Sequence, residues 1–235
     1  MLVGHAQRGN GKDGAMAGDA SEFQTLRDKA YASFTEHLLA RTIMPGQFVS
    51  QRELVEITGL PLSAIREMIP RLEAEGLIRA VPQRGLQVAQ VDLDLIRNAF
   101  QLRLLIEREA VASYCETAPQ DELEALLTAH CTARDEAVRW VTPTVLDHAQ
   151  ELDWAFHDRM VDSLGNHLIS NIYRVNSVRI RLIRLAQTRM LPSLLPAVMG
   201  EHIAIIEALL ARDAQAAVAA LEAHIEVARR RALGV

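Results

Sequence analysis

Between Pro45 and Val88 the chain sets down a turn, two short helices and a hairpin in fixed order, and no other stretch narrows the fold as much. The turn is Pro45-Gly46, and a short helix follows from Ser50 to Ile57 before a tight break at Thr58-Gly59. The next helix carries Ile65, Met68, Ile69 and Leu72 on one side and Leu62, Ser63, Arg66, Glu67 and Pro70 on the other, the spacing of a half-buried helix. Glu75-Gly76-Leu77-Ile78 closes it, and Gln83-Arg84-Gly85 reads as the tip of a β-hairpin. Two helices joined by a short Gly-containing turn form a helix-turn-helix, whose second helix can lie in a DNA major groove; the hairpin supplies a wing. Upstream, Leu26, Ala30, Phe34 and Leu38 recur at helical spacing, so Leu26 to Ala40 is expected as the first helix of this head.

Charge opposes a nucleic-acid reading at first sight. Residues 1–90 hold ten Lys/Arg and ten Asp/Glu, while residues 91–235 hold 15 against 20 and account for the whole net −5. DNA-binding domains usually carry net positive charge. Placement answers the objection, because Arg52, Arg66 and Arg84 fall on the second helix, the recognition helix and the wing. A local patch suffices for phosphate contacts, with modest affinity and a modest salt slope expected. Arg66 is the expected base or phosphate contact, since its fork matches the acceptors of guanine; a pair with Glu67 on a solvated face is the alternative. Ser63 shares that face and joins the expected contact set. Gly85 permits a sharp turn and a close approach to a groove, and Arg84 beside it is placed to reach phosphate or the minor groove, with a plain hairpin tip as the alternative. Pro70 removes a backbone donor and is expected to kink or shorten its helix, a defect worth roughly 3 kcal/mol in a helix interior.

Taken together, Pro45-Gly46-Gln47-Phe48-Val49-Ser50-Gln51-Arg52-Glu53-Leu54, Ile65-Arg66-Glu67, Arg71-Leu72-Glu73-Ala74-Glu75-Gly76-Leu77-Ile78 and Pro82-Gln83-Arg84-Gly85-Leu86-Gln87-Val88 resemble the GntR-family winged helix-turn-helix. The resemblance covers most of residues 25–88 and implies double-stranded operator DNA as a partner. It departs at Pro61-Leu62-Ser63-Ala64, where Ser-Arg-Thr-Pro is common, so an arginine often used on DNA is replaced by Leu62.

With 235 residues, one small and one medium domain are expected: a tail over 1–20, the winged helix-turn-helix over 21–90, and a second domain over 91–235. Residues 1–20 are rich in Gly, Ala and polar side chains and lack an apolar signal core. No run approaches the roughly 18 uninterrupted apolar residues of a membrane span, so no membrane partner is expected. Cys115 and Cys131 have neither metal-site spacing nor a framework count and read as reduced thiols of a cytoplasmic protein. Past the connection at Ala89 to Asp94, helices are expected near 92–117, 119–140, 144–164, 166–190, 194–212 and 213–232, punctuated by Pro119, Pro143, Gly165-Asn166, Pro192, Pro196 and Asp213. No strand-like alternation interrupts them, so the fold class is mainly α, a winged head followed by an all-α bundle.

The chemistry lies in that bundle. Leu146, Ala149, Asp153, Phe156, Met160 and Leu164 form one stripe, with His157 one turn after Asp153. A buried carboxylate without a partner is costly, so Asp153 needs a cation or several donors, and residues four apart share a helix face. His202 lies in the stripe of Val198, Ile205, Ile206 and Leu209, and His224 beside Leu221, Ile225 and Ala228. A hydrogen-bonded core histidine accounts for any one of these. All three with Asp153 in inward stripes point to a shared metal site. His5, His37, His130, His148 and His167 show no such combination and receive no role.

Asp153-x-x-Phe156-His157, Gly165-Asn166, Glu201-His202 and Ala223-His224, with Arg103-x-x-x-Glu107 opening the domain, resemble the FCD ligand-binding domain of the FadR subfamily of GntR regulators over about 93–232. The resemblance implies that Asp153, His157, His202 and His224 hold a divalent ion, commonly Zn or Ni. It also makes Arg103 a candidate to hold an effector carboxylate; a structural pair with Glu107 is the alternative. The expected function is an effector-responsive transcriptional regulator, a repressor acting as a homodimer on a pseudo-palindromic operator and answering to a small organic or sugar acid. Two rivals stand: a regulator for which the ion itself is the signal, and a metal-dependent hydrolase, since three imidazoles, a carboxylate and an open position also suit water activation. No additional general base is apparent for the hydrolase, and it leaves the head unexplained.

Overall fold

In the computed structural model, which describes residues 25–188 and 192–235, the head is built from caps that the sequence spells out. Thr25 caps α1 (Leu26–Leu39) by accepting from Asp28 N at 3.1 Å. Ser50 and Glu53 close a reciprocal capping box on α2 (Gln51–Thr58): the Ser50 hydroxyl accepts from Glu53 N at 3.1 Å, and Glu53 Oε2 accepts from Ser50 N at 2.7 Å. Such a cap contributes about 1 kcal/mol. Gly59, at φ +68°, ends α2 in the left-handed conformation that glycine adopts without strain. α3 spans Leu62–Ala74 and buries Ile65, Met68, Ile69 and Leu72 against Phe34, Leu38, Leu54 and Leu77, leaving Leu62, Ser63, Arg66, Glu67 and Pro70 exposed. The 1–20 tail lies outside the described residues.

Two expectations for the head need correction. Pro70 does not shorten α3, which continues one more turn to Ala74. Pro70 lies on the exposed face, and so does Arg66, whose carbonyl loses the missing N–H, so solvent can serve that acceptor. The wing is also more than a hairpin. β2 (Ile78–Val81) and β3 (Gly85–Val88) pair antiparallel, and β1 (Phe48–Val49) adds to the other side of β3, giving the order β1-β3-β2. This third strand explains Gly85 from inside the molecule: its φ is +90°, and a Cβ there would meet Val49 O at 3.0 Å.

The remaining helices are α4 (Leu93–Thr117), α5 (Gln120–Arg139), α6 (Pro143–Asp162), α7 (His167–Ile183), α8 (Leu195–Leu210) and α9 (Ala214–Leu233). Pro143 starts α6 at its first turn, Asn166 caps α7 by accepting from Leu168 N and Ile169 N, and Asp213 caps α9 by accepting from Ala216 N. α4 packs against α9, α7 and α6, and α5 against α8, around a core that includes Phe100, Tyr114, Phe156, Met160, Ile205 and Leu221. The helix expected over 166–190 is not uniform. α-Helical geometry ends at Ile183 and widens into a π-helical turn over Arg184–Thr188, a device often found at functional sites. Val178 and Leu182 of α7 belong to the apolar cluster of the head, and Arg179 donates to Glu75 O at the end of α3. One helix therefore touches both halves of the molecule.

Candidate metal centre and effector cavity

Four side chains converge in the bundle. Asp153 and His157 come from α6, His202 from α8 and His224 from α9; none is more than 4% exposed, and one ligand atom from each lies within 4.8 Å of all the others. Asp153 Oδ1 is 3.5 Å from His157 Nε2 and 3.4 Å from His202 Nε2, longer than the roughly 2.7–3.2 Å of an ordinary N–H···O bond. Asp153 Oδ1 and both ring nitrogens of His202 are buried without a hydrogen-bond partner. An orphaned acceptor beside orphaned imidazole nitrogens is costly unless something of opposite character completes it. A cation facing three imidazole lone pairs and a carboxylate meets that requirement, and the donor set suits Zn or Ni.

The surroundings orient the rings. His157 Nδ1 faces Glu107 Oε2 at 2.8 Å, and Glu107 also accepts from Arg103 Nε at 2.7 Å and from the Tyr173 hydroxyl at 2.6 Å. His224 Nδ1 faces Glu201 Oε2 at 2.8 Å, and Arg231 donates to the other Glu201 oxygen at 2.8 Å. Carboxylates on Nδ1 turn the Nε2 atoms of both rings inward, the usual support of a metal-binding histidine. Burial alone would raise the pKa of Asp153, but its ion pair with Arg184 and the neighbouring imidazoles hold it well below the usual carboxylate range. Burial, with His224 alongside, pushes His202 far down, and burial pushes His224 to about 4 against the opposing bond from Glu201. Both rings are thus neutral at pH 7, as ligation requires. His157 goes the other way: burial would lower its pKa, but Glu107 outweighs it.

Arg103 belongs to the same buried network. It is buried, bonded to Glu107, with Nη2 2.8 Å from His157 Nε2. The sequence alternatives of ligand-holding and structural pairing are therefore not exclusive, because Arg103 also lines two cavities beside the cluster. One is bounded by Trp154, Tyr173, Arg181 and Arg184, among others. The second is bounded by Leu194, Val198, His224, Ala228 and Arg231. Asp153 and Arg184 line both. Arg184, Glu201 and His130 have places here that the sequence reading did not assign. For His130 a signal existed: with Leu123, Ala133 and Ala137 it forms the buried stripe of α5.

On the head, Arg52, Ser63, Arg66, Arg84 and Gly85 are all exposed. Arg66 does not pair with Glu67; its Nε donates to Gln51 Oε1 at 3.1 Å, tying α3 to the start of α2. Arg52 sits 3.4 Å from Glu56 on the same helix, and the Arg84 guanidinium stacks 3.9 Å from the centre of the Phe48 ring.

The sequence matches the family described as bacterial regulatory proteins, gntR family, over residues 26–88, and the FCD domain over residues 98–227. The chain belongs to the GntR family and carries an FCD domain. Curated relatives of this GntR-family chain include the uncharacterized HTH-type transcriptional regulator YdhC of Bacillus subtilis, 23% identical over 60% of this chain and 62% of that protein. The chain thus spans under two thirds of that relative's length. The HTH-type transcriptional repressor GlaR of Escherichia coli is 24% identical over 83% of this chain and 90% of that protein. Among solved structures, E. coli McbR/YncC shares the fold with a TM-score of 0.71 at 17% identity, covering 87% of this chain and 95% of that one. The GntR family and the YdhC and GlaR relatives are transcriptional regulators rather than enzymes. Among the described residues no helix is long and apolar enough to cross a membrane.

Proposed function

We propose that this GntR-family chain is a DNA-binding transcriptional repressor, acting as a homodimer, whose FCD domain holds one divalent ion and answers to a small carboxylate. The observation that carries the reading is the buried convergence of Asp153, His157, His202 and His224, with unpartnered atoms on Asp153 and His202. Zn or Ni fits three imidazoles and one carboxylate. When bound, the ion supplies positive charge and open coordination positions that attract a carboxylate oxygen. The chain's own residues do the rest. Glu107 and Glu201 hold two of the rings, and Arg103, Arg184 and Arg231 give the adjoining cavities guanidinium donors suited to a carboxylate. The small cavities favour a small hydroxy- or sugar-acid anion, and the same cavities weigh against the ion being the sole signal. A repressor role is supported by the name of the relative GlaR, and a two-fold dimer suits a pseudo-palindromic operator in the cytoplasm.

Titration calorimetry of small hydroxy acids against ion-loaded and chelator-stripped protein tests this. Binding by the loaded form alone, with operator affinity reduced by the same acid, is expected. Equal affinity in both forms would leave the ion as a structural clasp. Ion-dependent operator binding with no response to any acid would favour the metal-sensing alternative.

A further inference from the structure

Two of the three clustered histidines have an acceptor on Nδ1, Glu107 for His157 and Glu201 for His224. His202 has none: both its ring nitrogens are buried and unpartnered. Next to it, on α5, stands a fourth buried ring. His130 is 0% exposed, and its centroid lies 5.3 Å from that of His202 in an edge-on arrangement. Phe156 packs against both rings, at 5.3 Å and 5.4 Å. The tautomer of His130 is fixed by its neighbour. Nδ1 lies 2.7 Å from Leu126 O, and a carbonyl only accepts, so Nδ1 carries the proton. The neutral ring then presents a bare Nε2, which is itself buried and without a partner.

His202 has the complementary need. Its Nε2 faces Asp153 Oδ1 at 3.4 Å and must be bare to ligate an ion, so its proton belongs on Nδ1. We propose that His130 is the positioning residue for His202, its Nε2 accepting the His202 Nδ1–H and so holding the third ring of the metal centre as Glu107 and Glu201 hold the other two. A centroid separation of 5.3 Å leaves room for one nitrogen of each ring to reach hydrogen-bond distance, roughly 3 Å, where both point along the line between the rings. A neutral acceptor leaves the buried centre without a third supporting carboxylate, which limits the negative charge around the ion.

This inference rests on the metal-centre reading, and its test separates the two. Full-length wild type, His130→Leu and His130→Gln are titrated with zinc against a competing chelator, and the melting temperatures of the ion-free proteins are recorded alongside. Leucine fills similar space and accepts nothing, whereas the glutamine carbonyl restores an acceptor. Zinc affinity is expected to fall about 10–100-fold in His130→Leu and to recover for the most part in His130→Gln, whatever the melting temperatures do. In zinc-loaded, nitrogen-15-labelled wild type, the His202 Nδ1 proton should be protected from exchange; this readout needs no variant to fold. Unchanged zinc affinity in His130→Leu, or an unprotected His202 Nδ1 proton in the wild type, would overturn the proposal while leaving the metal centre standing. A wild type that takes up no zinc would remove both.

Discussion

Arg66 and Arg84 are held loosely. Arg66 has one neutral bond to Gln51, and Arg84 has the face of Phe48. Neither is committed to a carboxylate, so each can turn to an anion at little cost. Arg66→Ala and Arg84→Ala are therefore expected to weaken operator binding without lowering the melting temperature. Arg66→Ala should cost about 1–3 kcal/mol and relax base preference, whereas Arg84→Ala should weaken all sequences alike. Binding curves on operator and scrambled duplexes check this, and unchanged curves for both variants would remove the two residues from the interface. Arg103 is a different case. Its truncation would take the guanidinium partner from the buried Glu107, leaving only Tyr173 and His157 on that carboxylate, and removing one member of a buried ion pair costs about 3–5 kcal/mol, so it is a poor probe of ligand binding alone. The convergence of Asp153, His157, His202 and His224 was legible residue by residue, because each polar side chain interrupts an apolar stripe. Glu201 was less so: it precedes His202 and lies off the apolar stripe, and only the packing of α9 on α8 gives it His224 as a partner. For Arg103 the sequence left ligand-holding and pairing with Glu107 as alternatives, because its contact with His157 lies 54 positions away.

At the scale of elements, α7 has the most to do. Through Val178, Leu182 and Arg179 it grips the head near the end of α3, and through Arg184, in the first turn past its α-helical part, it is bound to Asp153. A ligand that displaces Arg184 from Asp153 would act on the helix that supports the recognition element, which gives coupling a contiguous physical route. Arg179→Ala should leave effector binding intact and diminish its effect on operator affinity, measurable by paired titrations; an unchanged effect would take α7 out of the route. The helices were readable from capping residues and prolines, and their starts fall within about a residue or two of expectation. What escaped was set by partners distant in sequence. β1 exists only because β3 lies beside it, and the π-helical turn follows no local signal that we can name. Pro70 was readable as an anomaly but not as a tolerated one, because tolerance depends on which face meets solvent.

For the molecule as a whole, two observations meet: an exposed arginine set on a winged head, and a buried set of ligand-type side chains in the bundle, joined by one helix. In the proposed function the state of the bundle bears on the head, and the Asp153 cluster is where a ligand would act on it. The proposed function requires an ion at Asp153, His157, His202 and His224. Elemental analysis of protein purified without chelator, as wild type and as the His202→Ala/His224→Ala double variant, tests this most directly. The wild type should carry about one divalent ion per chain, lost to a chelator with a fall in melting temperature, and the double variant almost none. An ion-free wild type, or full occupancy in the double variant, would contradict it.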